Sequence, residues 1–167
     1  MTTAEQDVTT VQVYRVWIKA TPQAIWDAIT DPEWTDRYGY QGRVDIDLRP
    51  GGHFKAGASA DMKAYGAPDV VVDGEVIEAD PPRKLVQTWH PIWSEEAAAE
   101  RPTRLTYEID EGENGVCKLT VVHDVAGAPS VAQMVSGGLE HTGAGGGWAF
   151  VLSDLKSLLE TGSALAG

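Results

Sequence analysis

The sequence predicts an α+β fold in which a curved antiparallel sheet packs around a long C-terminal helix and encloses an apolar, aromatic-lined cavity. Two patterns indicate this fold. Between residues 43 and 124, apolar and polar residues alternate in short segments separated by turn residues, which is typical of a strand meander. After residue 147 the apolar residues recur at helical spacing instead. The length of 167 residues suits one domain. We expect that domain to span residues 11–162 and to follow a disordered tail at residues 1–10.

The first structured elements are predicted to be a strand and two short helices. Residues 11–19 are rich in β-branched and aromatic residues, which favours a strand. Thr21 and Asp31 are typical helix N-caps, and each is followed by a proline, which fits the first position of a helix. Ile25 and Ile29 lie on one face of the first helix, so that face is predicted to be buried.

The meander that follows is predicted to contain six strands. These strands span residues 43–49, 53–55, 70–79, 84–90, 103–110 and 116–124. Their connections are short, so the sheet is expected to be antiparallel. Gly74 interrupts its strand and is interpreted as a bulge. Residues 57–69 are interpreted as an irregular loop or frayed strand edge, and residues 92–101 as a loop or short helical turn.

The last element is predicted to be the helix that the sheet grips. Its apolar stripe consists of Trp148, Val151, Leu152, Leu155, Leu158 and Leu159. Extended backwards, the stripe passes through Gly145, Ala144 and His141. Each glycine inside a helix costs about 1 kcal/mol relative to alanine. Residues 143–147 could therefore be a kinked helix or a lid, and the helix could begin near Gly147.

Charge and composition exclude several classes of function. The net charge of -12 repels phosphate backbones and anionic lipid surfaces, so neither nucleic acid nor membrane is expected as a partner. No run of about 18 apolar residues suggests a membrane span, and the polar, acidic first residues lack the features of a signal peptide. A cytoplasmic protein is therefore expected. The single cysteine, Cys117, alternates with Leu119 on a strand and is interpreted as a buried structural thiol.

Several stretches, in their order and spacing, point to a known family. They are residues 20–32, residues 49–52, residues 74–76 with 81–85, and Gly147 and Trp148 with Leu152, Leu155 and Leu159. With these stretches the chain resembles the SRPBCC superfamily, also called START-like or Bet v 1-like, and within it the branch named for the activator of Hsp90 ATPase. The resemblance implies a helix-grip fold with a cavity between sheet and helix. Such proteins include lipid and steroid carriers, polyketide aromatases and cyclases, and co-chaperone domains. Since they share no catalytic motif, the resemblance assigns no catalytic residue.

The histidines carry the only candidate acid–base chemistry. His53, His90, His123 and His141 do not form a metal-binding motif, and no nucleophile motif is present, so no metal, cofactor or catalytic residue is predicted. His123 lies on the strand face of Val121. It could contact a ligand, act as an acid or base, or simply bond to a neighbouring backbone group. His141 lies on the helix stripe and could point at the same space.

Aromatic residues supply the candidate cavity wall and mouth. Trp89, Trp93 and Tyr107 are assigned to the wall, and Tyr38, Tyr40 and Phe54 to the mouth, although aromatic residues also fill cores. The candidate ligand-binding residues are Tyr38, Phe54, Trp89, Trp93, Tyr107, His123, Met134 and His141.

Three functions remain open from the sequence. The first is a non-enzymatic protein that binds a small hydrophobic or aromatic molecule in the cavity. The second is a polyketide cyclase- or aromatase-like enzyme that uses a cavity histidine, His123 or His141. The third is a co-chaperone-like protein-interaction module, which ranks last because the acidic surface suggests no partner groove. A homodimer is considered possible.

Overall fold

The computed structural model describes residues 10–138 and 146–165. Three predictions fall wholly or mostly on other residues. The tail at residues 1–10 lies outside the described residues except for Thr10, His141 lies outside them, and only the last two residues of the segment 143–147 lie within them.

The described residues form a sheet of seven strands. They are β1 (Val11–Lys19), β2 (Val44–Ile46), β3 (His53–Gly57), β4 (Val70–Asp80), β5 (Lys84–Pro91), β6 (Thr103–Glu111) and β7 (Val116–Asp124). The order across the sheet is β1-β7-β6-β5-β4-β3-β2, and every neighbouring pair is antiparallel. The predicted antiparallel meander is therefore confirmed. The register shifts between Ala56 and Gly57 and between Val76 and Glu78, and such irregularities bend a sheet.

Six helices accompany the sheet in this part of the chain. They are α1 (Pro22–Thr30), α2 (Pro32–Thr35), α3 (Ala60–Ala64), α4 (Glu95–Ala99), α5 (Pro129–Val135) and α6 (Gly147–Thr161). The two predicted caps are confirmed. Thr21 Oγ1 accepts a hydrogen bond from Ala24 N at 3.1 Å, and Asp31 Oδ1 accepts one from Glu33 N at 2.9 Å. None of these helices is both long enough and apolar enough to cross a membrane.

The core lies between the sheet and α6. Leu152, Leu155 and Leu158 are buried on the inner face of this helix, as the stripe predicts. Full burial of one such side chain stabilises the fold by about 1.5–3 kcal/mol. Ile25 and Ile29 of α1 join the same core cluster. The long helix begins at Gly147, as in the prediction that places its start near that residue.

The structure corrects two local predictions and adds one helix that was not predicted. Residues 57–69 are not wholly irregular, because Ser59 caps α3 by accepting a hydrogen bond from Met62 N at 3.2 Å. The sequence analysis did not predict α5, which buries Val131 and Val135. Gly74 is not a bulge: it pairs in register with Phe54, and the irregularity lies after Val76.

A close approach between strands explains the glycine at position 74. A Cβ atom built on Gly74 would lie 2.0 Å from the carbonyl oxygen of Thr88 on β5. No real Cβ atom tolerates that distance, so a side chain here would push β4 and β5 apart. The glycine is therefore a requirement of strand spacing.

We predict that Gly74→Ala lowers the free energy of unfolding by about 3 kcal/mol, because the overpacked backbone contact cannot relax without opening the sheet. Urea denaturation followed by tryptophan fluorescence measures this change. Gly57→Ala in β3 is the matched control, since a Cβ there would lie 3.5 Å from its nearest neighbour, an ordinary contact. Equal effects of the two substitutions would contradict the steric explanation.

Candidate functional site

A cavity of about 390 Å³ lies between the first turns of α6, the loop at residues 36–43 and the inner face of strands β2 to β6. Its aromatic lining consists of Tyr38, Tyr40, Phe54, Trp89, Trp93, Tyr107 and Trp148. Smaller apolar side chains complete much of the wall, and none of the described lining residues carries a charged side chain. The volume lies within the range of about 300–1,000 Å³ that is usual for small-molecule sites.

Small residues leave this space unfilled. Gly147 begins α6 and contributes no side chain, and Gly39, Gly42 and Gly57 line the cavity in the same way. Ala56 on β3 adds only a methyl group to the wall. The large aliphatic side chains of α6 lie further along the helix and fill the core there instead. The cavity is therefore the open half of the helix–sheet interface, and the large side chains of α6 pack the other half.

The loop at residues 36–43 is held in place by three hydrogen bonds, two of them to α6 and one to α1. Gly39 N donates to Asp154 Oδ2 at 2.8 Å, and Gly147 N donates to Tyr40 Oη at 3.1 Å. Tyr38 Oη in turn donates to the carbonyl oxygen of Ala28 at 2.8 Å. One side of the cavity is therefore a fixed wall.

Asp154 was not among the predicted site residues, and it is only 1% exposed. A signal for its burial was present, because Asp154 lies three residues after Val151 and four before Leu158, on the apolar stripe itself. A carboxylate in such a position must find hydrogen-bond donors inside the protein. Gly39 N supplies one, and Leu165 N donates to the other oxygen.

Six of the eight residues predicted to bind a ligand lie in the cavity lining. They are Tyr38, Phe54, Trp89, Trp93, Tyr107 and Met134. His141 lies outside the described residues. His123 is described, but it is not among the lining residues, and its side chain is fully buried.

His123 lies one layer behind the cavity, between Trp89 and Trp148. The centroid of its ring is 5.2 Å from that of Trp89 and 6.0 Å from that of Trp148, both in edge-to-face orientation. Both tryptophans line the cavity, whereas His123 does not. The structure therefore places His123 in the support of the wall, which differs from the direct ligand contact that we predicted.

Both ring nitrogens of His123 are used inside the protein. Trp148 Nε1 donates to His123 Nδ1 at 3.0 Å, so the proton of the neutral ring must be on Nε2. Nε2 then donates to Thr103 Oγ1 at 2.8 Å, and this hydroxyl donates to the carbonyl oxygen of Trp89 at 2.7 Å. This chain of three bonds joins α6 to strands β7, β6 and β5. It leaves no ring nitrogen of the imidazole available to a ligand.

Burial also keeps His123 uncharged. Desolvation lowers the pKa of its imidazole to about 4, and the nearby Asp124 carboxylate opposes this shift only in part. At neutral pH the ring therefore accepts the Trp148 hydrogen bond as a neutral group. A charged imidazolium would carry a proton on Nδ1 and could not accept it.

The two half-buried tyrosines of the wall, Tyr38 and Tyr107, carry neutral hydroxyl groups. Burial raises the pKa of both phenols, and the proximity of Tyr107 raises that of Tyr38 further. Tyr107 also contacts Trp148 edge to face, with 6.0 Å between ring centroids. The wall near the start of α6 therefore offers polar hydroxyl groups without charge.

Gln87 is a buried polar residue of the lining that the sequence analysis did not select. It is 1% exposed, and its Nε2 finds no hydrogen-bond partner within the described part of the chain. On β5 it lies on the same face as Leu85 and Trp89, and a polar residue between two inward apolar ones was the available signal. A buried donor without a partner costs about 1–3 kcal/mol.

The remaining chemistry-bearing residues do not gather into a second site. His53 pairs with Asp45 at the surface, and His90 Nε2 contacts the carbonyl oxygens of Ala98 and Glu100. Within residues 10–138 and 146–165, no three histidine, cysteine or acidic side chains lie close enough together to hold a metal ion.

Comparisons with known proteins bear on this architecture. A family model described as "Activator of Hsp90 ATPase homolog 1-like protein" matches residues 19–160. No protein with a curated description matches the chain.

Three solved structures illustrate the fold. The crystal structure of CalU16 from Micromonospora echinospora is 21% identical, with 78% of this chain and 69% of that chain covered and a TM-score of 0.56. An HSP90 activator from Plasmodium falciparum is 20% identical, with coverages of 90% and 96% and a TM-score of 0.61. The Aha1 dimer from Colwellia psychrerythraea is 19% identical, with coverages of 91% and 97% and a TM-score of 0.60. At such identities the likeness shows the fold alone.

The buried state of His123 predicts an acid-sensitive stability. The unfolded residue binds a proton near its ordinary pKa of 6.5, whereas the folded residue does so only near 4. Between these pH values the unfolded chain binds more protons, so stability that is complete above pH 6.5 is lost as the pH falls towards 4. The shift corresponds to a loss of about 3 kcal/mol. Urea denaturation at pH 7.5, 6, 5 and 4.5 measures it.

His123→Gln should remove this component of the pH dependence, because the amide does not titrate. His53→Gln, at an exposed position, is the control and should leave the component in place. An unchanged pH dependence in the His123 variant would show that another group is responsible.

Proposed function

This chain belongs to the family of activator of Hsp90 ATPase homolog 1-like proteins, as its resemblance in sequence predicts, and from that premise we propose that it binds a small hydrophobic or aromatic molecule in the cavity between sheet and helix. The observation that carries the proposal is the cavity itself, with about 390 Å³ of space, an aromatic wall and no charged side chain among its described lining residues.

The apolar wall of the cavity favours an apolar occupant over water. Water needs two to four polar partners to be held in a buried site, and an apolar wall supplies few of them. An apolar ligand gains about 25 cal/mol for each Å² of its surface that leaves water. The anchored loop at residues 36–43 favours binding further, because a preformed wall loses little conformational freedom when a ligand enters.

An enzyme of the cyclase or aromatase type is the second candidate, and it has weaker support. Acid–base catalysis requires a titratable group that reaches the substrate. His123 uses both ring nitrogens within the wall, and the titratable groups among the described lining residues are Tyr38, Tyr40 and Tyr107. His141 lies outside the described residues and remains the histidine that this alternative would need.

A protein-interaction role is the third candidate. It is suggested by the name of the Plasmodium falciparum relative, which is an HSP90 activator. The net charge of -12 is compatible with a basic partner surface, but no feature of the described residues singles out a groove for one. We rank this role last.

In any of these roles the buried, unpaired Cys117 suits the reducing cytoplasm, where we propose that the protein acts.

We predict that N-phenyl-1-naphthylamine, a neutral fluorescent aromatic probe, binds with a stoichiometry of one per chain and shows a blue-shifted, enhanced emission. Ala56→Phe should weaken binding at least tenfold, because Ala56 lines the cavity and a phenyl group would fill part of it. Fluorescence titration measures both affinities.

Tyr65→Ser is the control for this titration. Tyr65 is 93% exposed and does not line the cavity, so its loss should not change probe binding in the cavity. Binding that survives Ala56→Phe but disappears with Tyr65→Ser would place the probe on the surface and overturn the proposal.

We also propose that a second copy of the chain packs on the exposed apolar side chains of β1. Val11, Val13 and Trp17 are each about half exposed on this edge strand. At its C-terminal end, Lys156 of α6 donates to the Trp17 carbonyl oxygen and Glu160 accepts from Lys19 N. Side-chain packing is therefore favoured over strand pairing there. The Colwellia psychrerythraea relative is described as a dimer.

Trp17→Lys is predicted to shift the protein towards the monomer in sedimentation velocity experiments, because it removes the largest apolar side chain of that surface. Tyr65→Lys introduces the same charge at an exposed site elsewhere and should leave association unchanged. Wild-type association should also strengthen with salt, since two copies of net charge -12 repel one another at low ionic strength. A wild-type protein that is monomeric at high concentration and high salt would refute the proposed dimer.

A further inference from the structure

Gln87 offers the cavity a hydrogen-bond donor that the protein itself does not use. The residue lies in the lining, is 1% exposed, and leaves its Nε2 unpaired within the described part of the chain. Three other polar side chains in or behind the cavity wall are engaged. Tyr38 donates to a backbone carbonyl, Tyr40 accepts from Gly147 N, and the His123 ring is fully bonded.

Resting on the proposed function, we infer that the ligand is an uncharged aromatic compound that carries a carbonyl or similar acceptor oxygen, and that Gln87 is the residue that recognises this oxygen. An acceptor placed at Gln87 would satisfy the unpaired donor, and the aromatic wall would contact the rest of the ligand. A purely apolar ligand would leave the donor as it is. The amide therefore adds selectivity to a site whose affinity comes from apolar burial.

The position of Gln87 in the sheet supports this role. It pairs with Leu105 on β6, while Leu85 pairs with Tyr107. Gln87 and Tyr107 are therefore diagonal neighbours on adjacent strands, at a separation that long side chains can bridge. Both residues line the cavity, so two neutral polar groups are presented at one place in an otherwise apolar wall. One oxygen of a ligand could be held by the amide, with the Tyr107 hydroxyl group beside it.

The absence of charge from the lining excludes an anionic ligand group from this position. No described lining residue could neutralise a buried carboxylate, and the protein as a whole carries a net charge of -12. An unpaired carboxylate in an apolar site is far more costly to bury than a carbonyl oxygen. The inferred compound is thus neutral at physiological pH.

The test compares three tricyclic probes of similar shape: fluorene, 9-fluorenone and fluorene-9-carboxylate. They differ in bearing no oxygen, a carbonyl oxygen or a carboxylate. Affinities are measured by quenching of tryptophan fluorescence, since Trp89 and Trp93 line the cavity, and are checked by isothermal titration calorimetry. The wild-type protein should bind 9-fluorenone about tenfold more tightly than fluorene, as expected for one buried hydrogen bond. It should bind the carboxylate most weakly.

Gln87→Met keeps the length of the side chain and removes the amide. It should abolish the preference for 9-fluorenone while it leaves the affinity for fluorene unchanged or improved. Met134→Ala is the control, because it removes an apolar contact from the lining and should weaken both probes by the same factor. If Gln87→Met does not fold, Gln87→Leu serves in its place.

A second measurement does not depend on the probes. Replacement of an unpaired buried amide by an apolar side chain should raise the melting temperature of the ligand-free protein. A lower melting temperature in both the Met and the Leu variants would show that the amide has a partner, and it would overturn the inference.

The outcomes separate the inference from the proposed function. Equal binding of fluorene and 9-fluorenone by the wild type, unchanged by Gln87→Met, would refute recognition by Gln87 and leave a ligand-binding cavity in place. Tightest binding of the carboxylate would refute the neutral ligand. Failure of the wild type to bind any of these probes or N-phenyl-1-naphthylamine would count against the proposed function itself, and the inference would fall with it.

Discussion

The hydrogen bond from Trp148 Nε1 to His123 Nδ1 holds the helix and the sheet in one arrangement. Trp148 belongs to the first turn of α6, and His123 lies near the end of β7. From His123 the chain continues through Thr103 to the backbone of Trp89, so four elements meet in one buried network. Each donor in it has one acceptor. A rotation or slip of α6 would break the bond to His123 and leave a polar atom buried without a partner, which makes such displacements costly.

This network also determines what the cavity wall is made of. The bond fixes the indole of Trp148 against His123, and the ring of Trp89 also contacts the imidazole edge to face. The two indoles therefore present apolar surface to the cavity and turn their polar support away from it. A histidine suits this position because its neutral ring can accept at one nitrogen and donate at the other. The low pKa that follows from burial keeps it in that state.

Much of the fold could be predicted from the sequence, because strand alternation and helix caps are local signals. Strands β1 and β7 begin and end at the predicted residues, and the Thr21 and Asp31 caps are observed. The helix α3 was missed because it buries no residue and therefore shows no apolar periodicity. The depth of His123 could not be predicted either. Alternation indicates which face of the sheet a residue is on, but the indole that donates to the His123 ring comes from Trp148, 25 positions further along the chain.

The polar groups around the cavity divide into those that build it and those that remain available. Five polar residues form hydrogen bonds that hold the wall and the loop at residues 36–43: His123, Thr103, Tyr38, Tyr40 and Asp154. Gln87 does not, and its Nε2 lies unpaired in an apolar surrounding. Since an unpaired buried donor weakens the fold, its presence is best explained by a partner that arrives from outside the chain. Catalysis by His123 would instead require a free imidazole, and other residues would then have to form the hydrogen bonds that hold the wall.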